Sequence, residues 1–291
     1  MRPARDTGRV FGRGRKARDS ARENVAKAVE QALDVLESRA LFADRIEDWP
    51  AARAGVRATL DDPEQLELAL FRLARKAGGP HSSLRRIVHA PGTPDLPTVE
   101  RAQDAAIVRL PGCRAEHAGR YVAAARTALD GVEADRWIVD LRGTGNGTMW
   151  PVLAAVTPLL RGDGELGAFV RRDGTRDPWR LENGVLSLGG REQARGEAGR
   201  RPGSVAVLTD SETADSGEAV AVAFRGLPDV RSYGAPTIGF SSGNEVVPLP
   251  GGLTLNVTTS RFSDRTGRIH DGPLVPDVPG DDPLSLALWD L

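Results

Sequence analysis

Lysine is almost missing from this chain. Of 39 basic residues among 291, only Lys16, Lys27 and Lys76 are lysines, and none follows Lys76. A lysine base or Schiff-base nucleophile is thereby excluded from the C-terminal three-quarters of the sequence. Cysteine is scarcer still. Cys113 alone excludes an intramolecular disulfide framework and a cysteine-clustered zinc site. No run of 18 apolar residues occurs, so no transmembrane helix is expected. The N-terminus has basic residues but no apolar stretch or cleavage site after them, which argues against a signal peptide and leaves the cytoplasm as the expected location.

What is present is ordinary for a globular protein. Hydrophobic residues make up 40% and charged residues 27%, enough for a core that needs neither disulfides nor metals. The length fits two domains or one large one. Net charge is −1, unevenly placed. Residues 1–18 carry six arginines and Lys16 against Asp6, a net of +6, which leaves −7 for the rest. This Gly/Arg-rich stretch has no apolar periodicity and is expected to be a disordered basic arm. The acidic remainder argues against a nucleic-acid surface on the folded body.

Ser20 and Glu23 are spaced as a capping box, and Val25, Val29, Ala32, Leu33, Leu36 and Leu41 then recur at helical spacing. The pattern predicts a helix over 20–42. Asp48-Trp49-Pro50 opens a second helix, ending near Leu60. Asp62-Pro63-Glu64 opens a third, which carries Leu66, Leu70, Leu73 and Ala74 on one face and stops at Gly78-Gly79. A small N-terminal helical bundle over 19–80 is expected, then a strand and Pro-rich linker over 81–103, with the linker itself at 91–98. From 104 to 285 strands alternate with helices. Strands are predicted at 105–110, 137–141, 166–172, 178–188, 205–209, 230–234 and 253–260. Helices are predicted at 115–130, 149–160 and 216–224. This is the signature of an α/β layered domain.

Three loops could carry chemistry. Gly79-Pro80-His81-Ser82 follows the third helix, and His81 is the natural general base. Asp140-Leu141-Arg142-Gly143-Thr144-Gly145-Asn146-Gly147 follows a buried strand. Thr213-Ala214-Asp215-Ser216-Gly217-Glu218 lies between a buried strand and a helix. A helix start favours developing negative charge, and a glycine loop opposite can bring a second N–H close.

In this order the motifs resemble the C-terminal processing peptidase and tricorn-core serine peptidases, including the interphotoreceptor retinoid-binding-protein-like branch. The resemblance spans residues 20–280. It is carried by Gly78 to Ser82, Asp140 to Gly147, Thr213 to Phe224, Gly234 to Gly239, and Gly272 to Asp277. It implies a crotonase-like (ClpP-like) α/β core and a serine hydrolase of peptides with no metal and no cofactor. One branch keeps a lysine where this chain has Phe240. Another uses the histidine that falls on His81. Only about 20 residues separate His81 from the strand at Ala105, too few for the PDZ domain that many members insert.

The departures fall together. The family's nucleophile position is Asp215 here, with Ser216 one place later, and the Gly loop carries Thr144 and Asn146 where the family has asparagine and glycine. The leading expectation is a hydrolase of a peptide or peptide-like bond in which Ser216 attacks and His81 takes its proton. N–H groups near Gly145, Gly147 and Gly217 would hold the oxyanion, and Asp271 or His270 would orient His81. The second reading is a cyclase, lyase or isomerase that uses Asp215 and His81 as acid and base on a small molecule. The third is a non-catalytic homologue that binds a peptide or apolar ligand. Ser216 also reads as a plain first helical residue behind an Asp215 cap. Arg142 pairs with Asp140 or Glu218, or touches substrate. Cys113 and His117 share a helix-start spacing, although a buried thiol is the simpler reading. Substrate identity and homo-oligomerisation are left open.

Overall fold

The computed structural model describes residues 8–86, 93–145, 147–198 and 202–290, with side chains from residue 20 onward. The fold is mixed α/β. Contacts divide it into two compact units: residues 1–90 with Asn244–Thr259, and Pro91–Gly243 with Ser260–Leu291.

In the first unit, helices span Gly8–Arg39, Trp49–Arg57 and Pro63–Gly78. Asp48 accepts the Ala51 N–H at 2.8 Å, and Asp62 accepts those of Glu64 and Gln65, so the acid-Pro starts cap as their sequence predicts. The first helix begins at Gly8, twelve residues before the capping box. Residues 8–18, expected as a disordered arm, are therefore helical, whereas residues 1–7 lie outside the described residues. Arginine, lysine and alanine are good helix formers, and a formed helix extends more cheaply than it nucleates. Leu33, Leu36, Leu70 and Ala74 pack together with Val247, Leu249, Leu255 and Val257. Those four come from strands Ser242–Leu249 and Leu253–Asp264, which pair with each other, and Ser83–Arg86 adds to the latter in antiparallel register. The helical region is thus not closed by residues 19–80 alone. Its apolar stripes need a cover, and a C-terminal hairpin supplies it.

The second unit is built on a sheet ordered Val278–Pro279, Val230–Gly234, Ser204–Thr209, Arg136–Asp140, Ala105–Arg109 and Thr98–Ala102. All neighbours are parallel except the last pair. Thr98–Ala102, at the end of the linker expected over 91–98, is a strand that was not among those predicted. Alternation sends Trp137, Val139, Val205 and Val207 to one face, under helices Ala118–Asp130, Met149–Val156 and Ser216–Phe224. Ile138, Ala206 and Leu208 take the other face, with Ala287 of helix Pro283–Asp290, which the sequence reading missed.

An antiparallel sheet follows through Gly164–Arg171, Arg176–Glu182, Val185–Leu188 and Arg191–Arg195, with Ser260–Asp264 against the first. The single strand expected at 178–188 is two. Asn183 (φ +49°) and Gly184 (φ +78°) form the tight turn that an Asn-Gly pair favours, because both residues tolerate positive φ. Among the described residues no helix is long and apolar enough to cross a membrane.

Candidate functional site

Strands Arg136–Asp140 and Ser204–Thr209 run parallel with Asp140 opposite Leu208, so their following loops leave the sheet side by side. Hydrogen bonds join them. The Ala214 N–H donates to the Thr144 carbonyl at 2.8 Å, the Thr213 hydroxyl to the Leu141 carbonyl at 2.9 Å, and the Gly143 N–H to Asp210 at 3.1 Å. Thr144 is buried and donates its hydroxyl to the Leu110 carbonyl. Asn146 lies outside the described residues.

The Thr213–Glu218 loop makes a sharp turn into helix Ser216–Phe224. Asp215 is the N-cap and has φ +48° and ψ −103°, a backbone conformation that costs a non-glycine residue on the order of 1–3 kcal/mol. It is half-buried. Ser216, the first helical residue, is 0% exposed. Glu218 holds the turn in place. Its Oε2 accepts the Asp215 N–H at 3.1 Å, and its Oε1 accepts the Thr237 hydroxyl and, at 2.9 Å, the Gly239 N–H. Burial pushes this carboxyl above its ordinary value, against the pull of those donors. The sequence marked Glu218 as a capping-box partner. Its anchoring of the Thr237–Phe240 segment was not visible there.

The glycines divide by role. At Gly147 (φ +106°) a Cβ would stand 2.2 Å from the Cys113 carbonyl oxygen, so that glycine allows the loop to lie on the Cys113 backbone. At Gly145 a Cβ would meet only ordinary neighbours, at 3.4 Å. At Gly217 it would stand 2.5 Å from the Thr144 carbonyl oxygen. The Gly217 N–H already donates to the Ala214 carbonyl at 2.8 Å.

His81 belongs to the first unit. Gly79 has φ +86° and stacks its backbone against Phe42, where a Cβ would come within 2.7 Å of the ring. Ser82 accepts the Thr258 N–H at 2.9 Å, which fixes the turn that carries the histidine. His81 is 7% exposed, and burial, with Arg85 adding repulsion, lowers its pKa from 6.5 to about 4. Its ring is therefore neutral at pH 7. Asn244 Nδ2 lies 3.1 Å from both ring nitrogens.

The orienting acid expected for His81 is engaged elsewhere. Asp271 is exposed and pairs with Arg261 at 3.1 Å, while buried His270 meets Asp264 at 3.0 Å. Arg142 grips Asp140 with two bonds of 2.8 Å, which decides among its three expected partners. Cys113 is buried, and its thiol is pushed up to about 11, so it is no thiolate nucleophile at neutral pH. Among the described residues no group of three or more His, Cys, Asp and Glu side chains could hold a metal ion.

Residues 104–279 match the family described as Peptidase family S41. The nisin-resistance protein of Lactococcus lactis subsp. lactis is 29% identical over 272 residues, which is 90% of this chain and 85% of that protein. A lipoprotein from Streptococcus agalactiae superposes with a TM-score of 0.76 at 20% identity, covering 92% of this chain and 96% of its own. The photosystem II D1 C-terminal processing protease gives 0.58 at 14% identity, covering 87% and 92%.

Proposed function

Because the chain belongs to peptidase family S41, a family of serine-peptidase-like hydrolases, we propose that it acts on a peptide or peptide-like substrate with Asp215 at the reactive position and His81 as a proton acceptor. One observation carries the choice of Asp215. The strained turn at φ +48° falls on residue 215, which is partly exposed and whose carboxylate caps the Glu218 N–H, whereas Ser216 has no exposed surface. A carboxylate there acts as a general base: it takes a proton from the water that attacks the scissile carbonyl and returns it to the leaving amine as the C–N bond breaks, so no acyl-serine forms. A neutral imidazole such as His81 can receive a proton at pH 7.

Serine chemistry is the second reading. Family membership favours it, with Ser216 attacking and His81 as base. It requires the Ser216 hydroxyl to leave full burial. A pool of defined peptides followed by mass spectrometry separates the two. In the first reading Asp215→Asn abolishes turnover and Ser216→Ala leaves it within a few-fold, and a fluorophosphonate probe labels neither the wild type nor Ser216→Ala. Turnover lost in Ser216→Ala and kept in Asp215→Asn, with wild-type labelling, establishes the second. Asp215→Ser is an informative gain-of-label variant, since it sets a hydroxyl on the partly exposed residue of the turn.

A further inference from the structure

Helix Ser216–Phe224 carries the strained turn at its start and a different feature at its end. A cavity of about 520 Å³ opens there, wholly within the second unit. Arg225, which caps the helix C-terminus, lines it, as does Arg268 of the turn that follows strand Leu253–Asp264. A helix of nine residues, at about 1.5 Å rise each, sets this end on the order of 13 Å from Asp215. The cavity is therefore separate from the turn where Asp215 stands.

Its cations have no counter-ion. Arg225 is half-buried, and its guanidinium donates to a neutral group, the Val275 carbonyl, at 2.6 Å. Arg268 is exposed, and its side chain makes no hydrogen bond or ion pair among the described residues. Two acids line the same cavity, and both are engaged by other donors. Asp277 accepts the Ser232 N–H and hydroxyl at 2.8 and 2.7 Å. Buried Asp264 accepts the Thr266 and Arg268 N–H groups at 2.9 and 3.2 Å and meets His270 at 3.0 Å. Neither acid forms an ion pair with Arg225 or Arg268. Burial pushes the Arg225 guanidinium down, and the Arg268 charge adds to this, against the pull of Asp277 and Asp264. A third arginine on the wall, Arg231, is paired with Asp290 at 3.0 Å.

The helix end does not account for these two cations. Arg265 serves it, donating to the Ala223 carbonyl at 2.7 Å. A half-buried cation held only by a carbonyl is costly, and an anion shared with a second arginine offsets that cost. The guanidinium fork matches the oxygens of a carboxylate or a phosphate. Much of the remaining wall is apolar, with Phe224, Leu227 and Leu274 buried in it. A ligand that fits therefore has an oxyanion at one end and a short apolar group at the other.

We propose that this cavity is a second binding site, which takes a small carboxylate or phosphate with an apolar body, its oxyanion on Arg225 and Arg268.

The test titrates the full chain with N-acetyl-leucine, phenyl phosphate and uncharged N-acetyl-leucinamide, followed by calorimetry and amide NMR. The first two distinguish a carboxylate ligand from a phosphate. At least one of them is expected to saturate the protein at millimolar concentration or below, with shifts centred on Gly226, Leu227 and Thr266 and not on residues 213–216. The amide is expected not to bind. Arg268→Gln should weaken binding about tenfold or more, because a hydrogen bond between charged groups is lost, and added salt should weaken it in the wild type. Arg225→Gln should act in the same direction. If that variant fails to fold, Arg268→Gln decides alone, since its side chain is exposed and bonds to nothing among the described residues. The proposal is overturned if neither anion binds saturably, if the amide binds as tightly as the acid, if the shifts centre elsewhere, or if Arg268→Gln keeps full affinity.

Discussion

Glu218 Oε2 accepts the backbone N–H of Asp215 at 3.1 Å, and the same carboxylate, through Oε1, holds the Gly239 N–H at 2.9 Å. One buried side chain therefore ties the strained turn to the segment that follows strand Val230–Gly234. Glu218→Ala would leave the Asp215 and Gly239 N–H groups and the Thr237 hydroxyl without their acceptor. Each buried orphan costs about 1–3 kcal/mol, so urea denaturation should show a loss of at least ~3 kcal/mol, with Glu218→Gln milder.

Asp215 offers a second test, in stability rather than turnover. At φ +48° an added Cβ is strained, and glycine is not. Glycine is also a better N-cap than alanine. Asp215→Gly should therefore be more stable than Asp215→Ala by about 1 kcal/mol or more, although both lose the carboxylate and its activity. Thermal melts of the two variants check the order; alanine equal to or above glycine would show that the turn is not strained.

The glycine loop gives a paired prediction. Gly147→Ala places a Cβ 2.2 Å from a backbone oxygen at a residue with φ +106°, and should cost roughly 3 kcal/mol or prevent folding. Gly145→Ala meets nothing closer than 3.4 Å and should be tolerated within about 1 kcal/mol. Equal effects on the denaturation midpoint would contradict this division of roles.

His81 makes stability depend on pH. Its folded pKa is about 4 and its unfolded value 6.5. Between these values the unfolded chain binds a proton that the folded chain does not. The contribution of His81 is therefore full above pH 6.5 and is lost as pH falls toward 4, a change of about 3 kcal/mol. The difference in unfolding free energy between wild type and His81→Gln, measured from pH 7 to 4, should shrink by that order. A flat difference would mean that the ring titrates in the folded chain as it does in the unfolded one. His270, also lowered by burial, acts with the same sign and is common to both proteins.

Much of this was legible in the chain itself. The acid-Pro helix starts at Asp48 and Asp62, the stop at Gly79, the capping pair Asp215 and Glu218 and the run of apolar strands are set by residues a few places apart. Backbone donors at helix ends and positive-φ turns make demands that only certain side chains meet, and those demands are local. Local pattern misled where two local rules competed. The Ser20 capping box marks a helix start, yet helix-forming neighbours carry the helix on to Gly8, and the Asn183-Gly184 turn cut one expected strand into two.

What the sequence could not reveal is which side chains meet across the fold. Nothing in the sequence announces that Asp271 pairs with Arg261, or that strand register sets Asn244 beside His81. Aspartate and serine stand side by side at 215 and 216. Only the turn, with its positive φ on one and the helix closing over the other, decides which of them faces outward. Near neighbours are fixed by chain geometry. Distant ones are fixed by how sheets and helices bury their apolar faces, and that is a property of the whole fold.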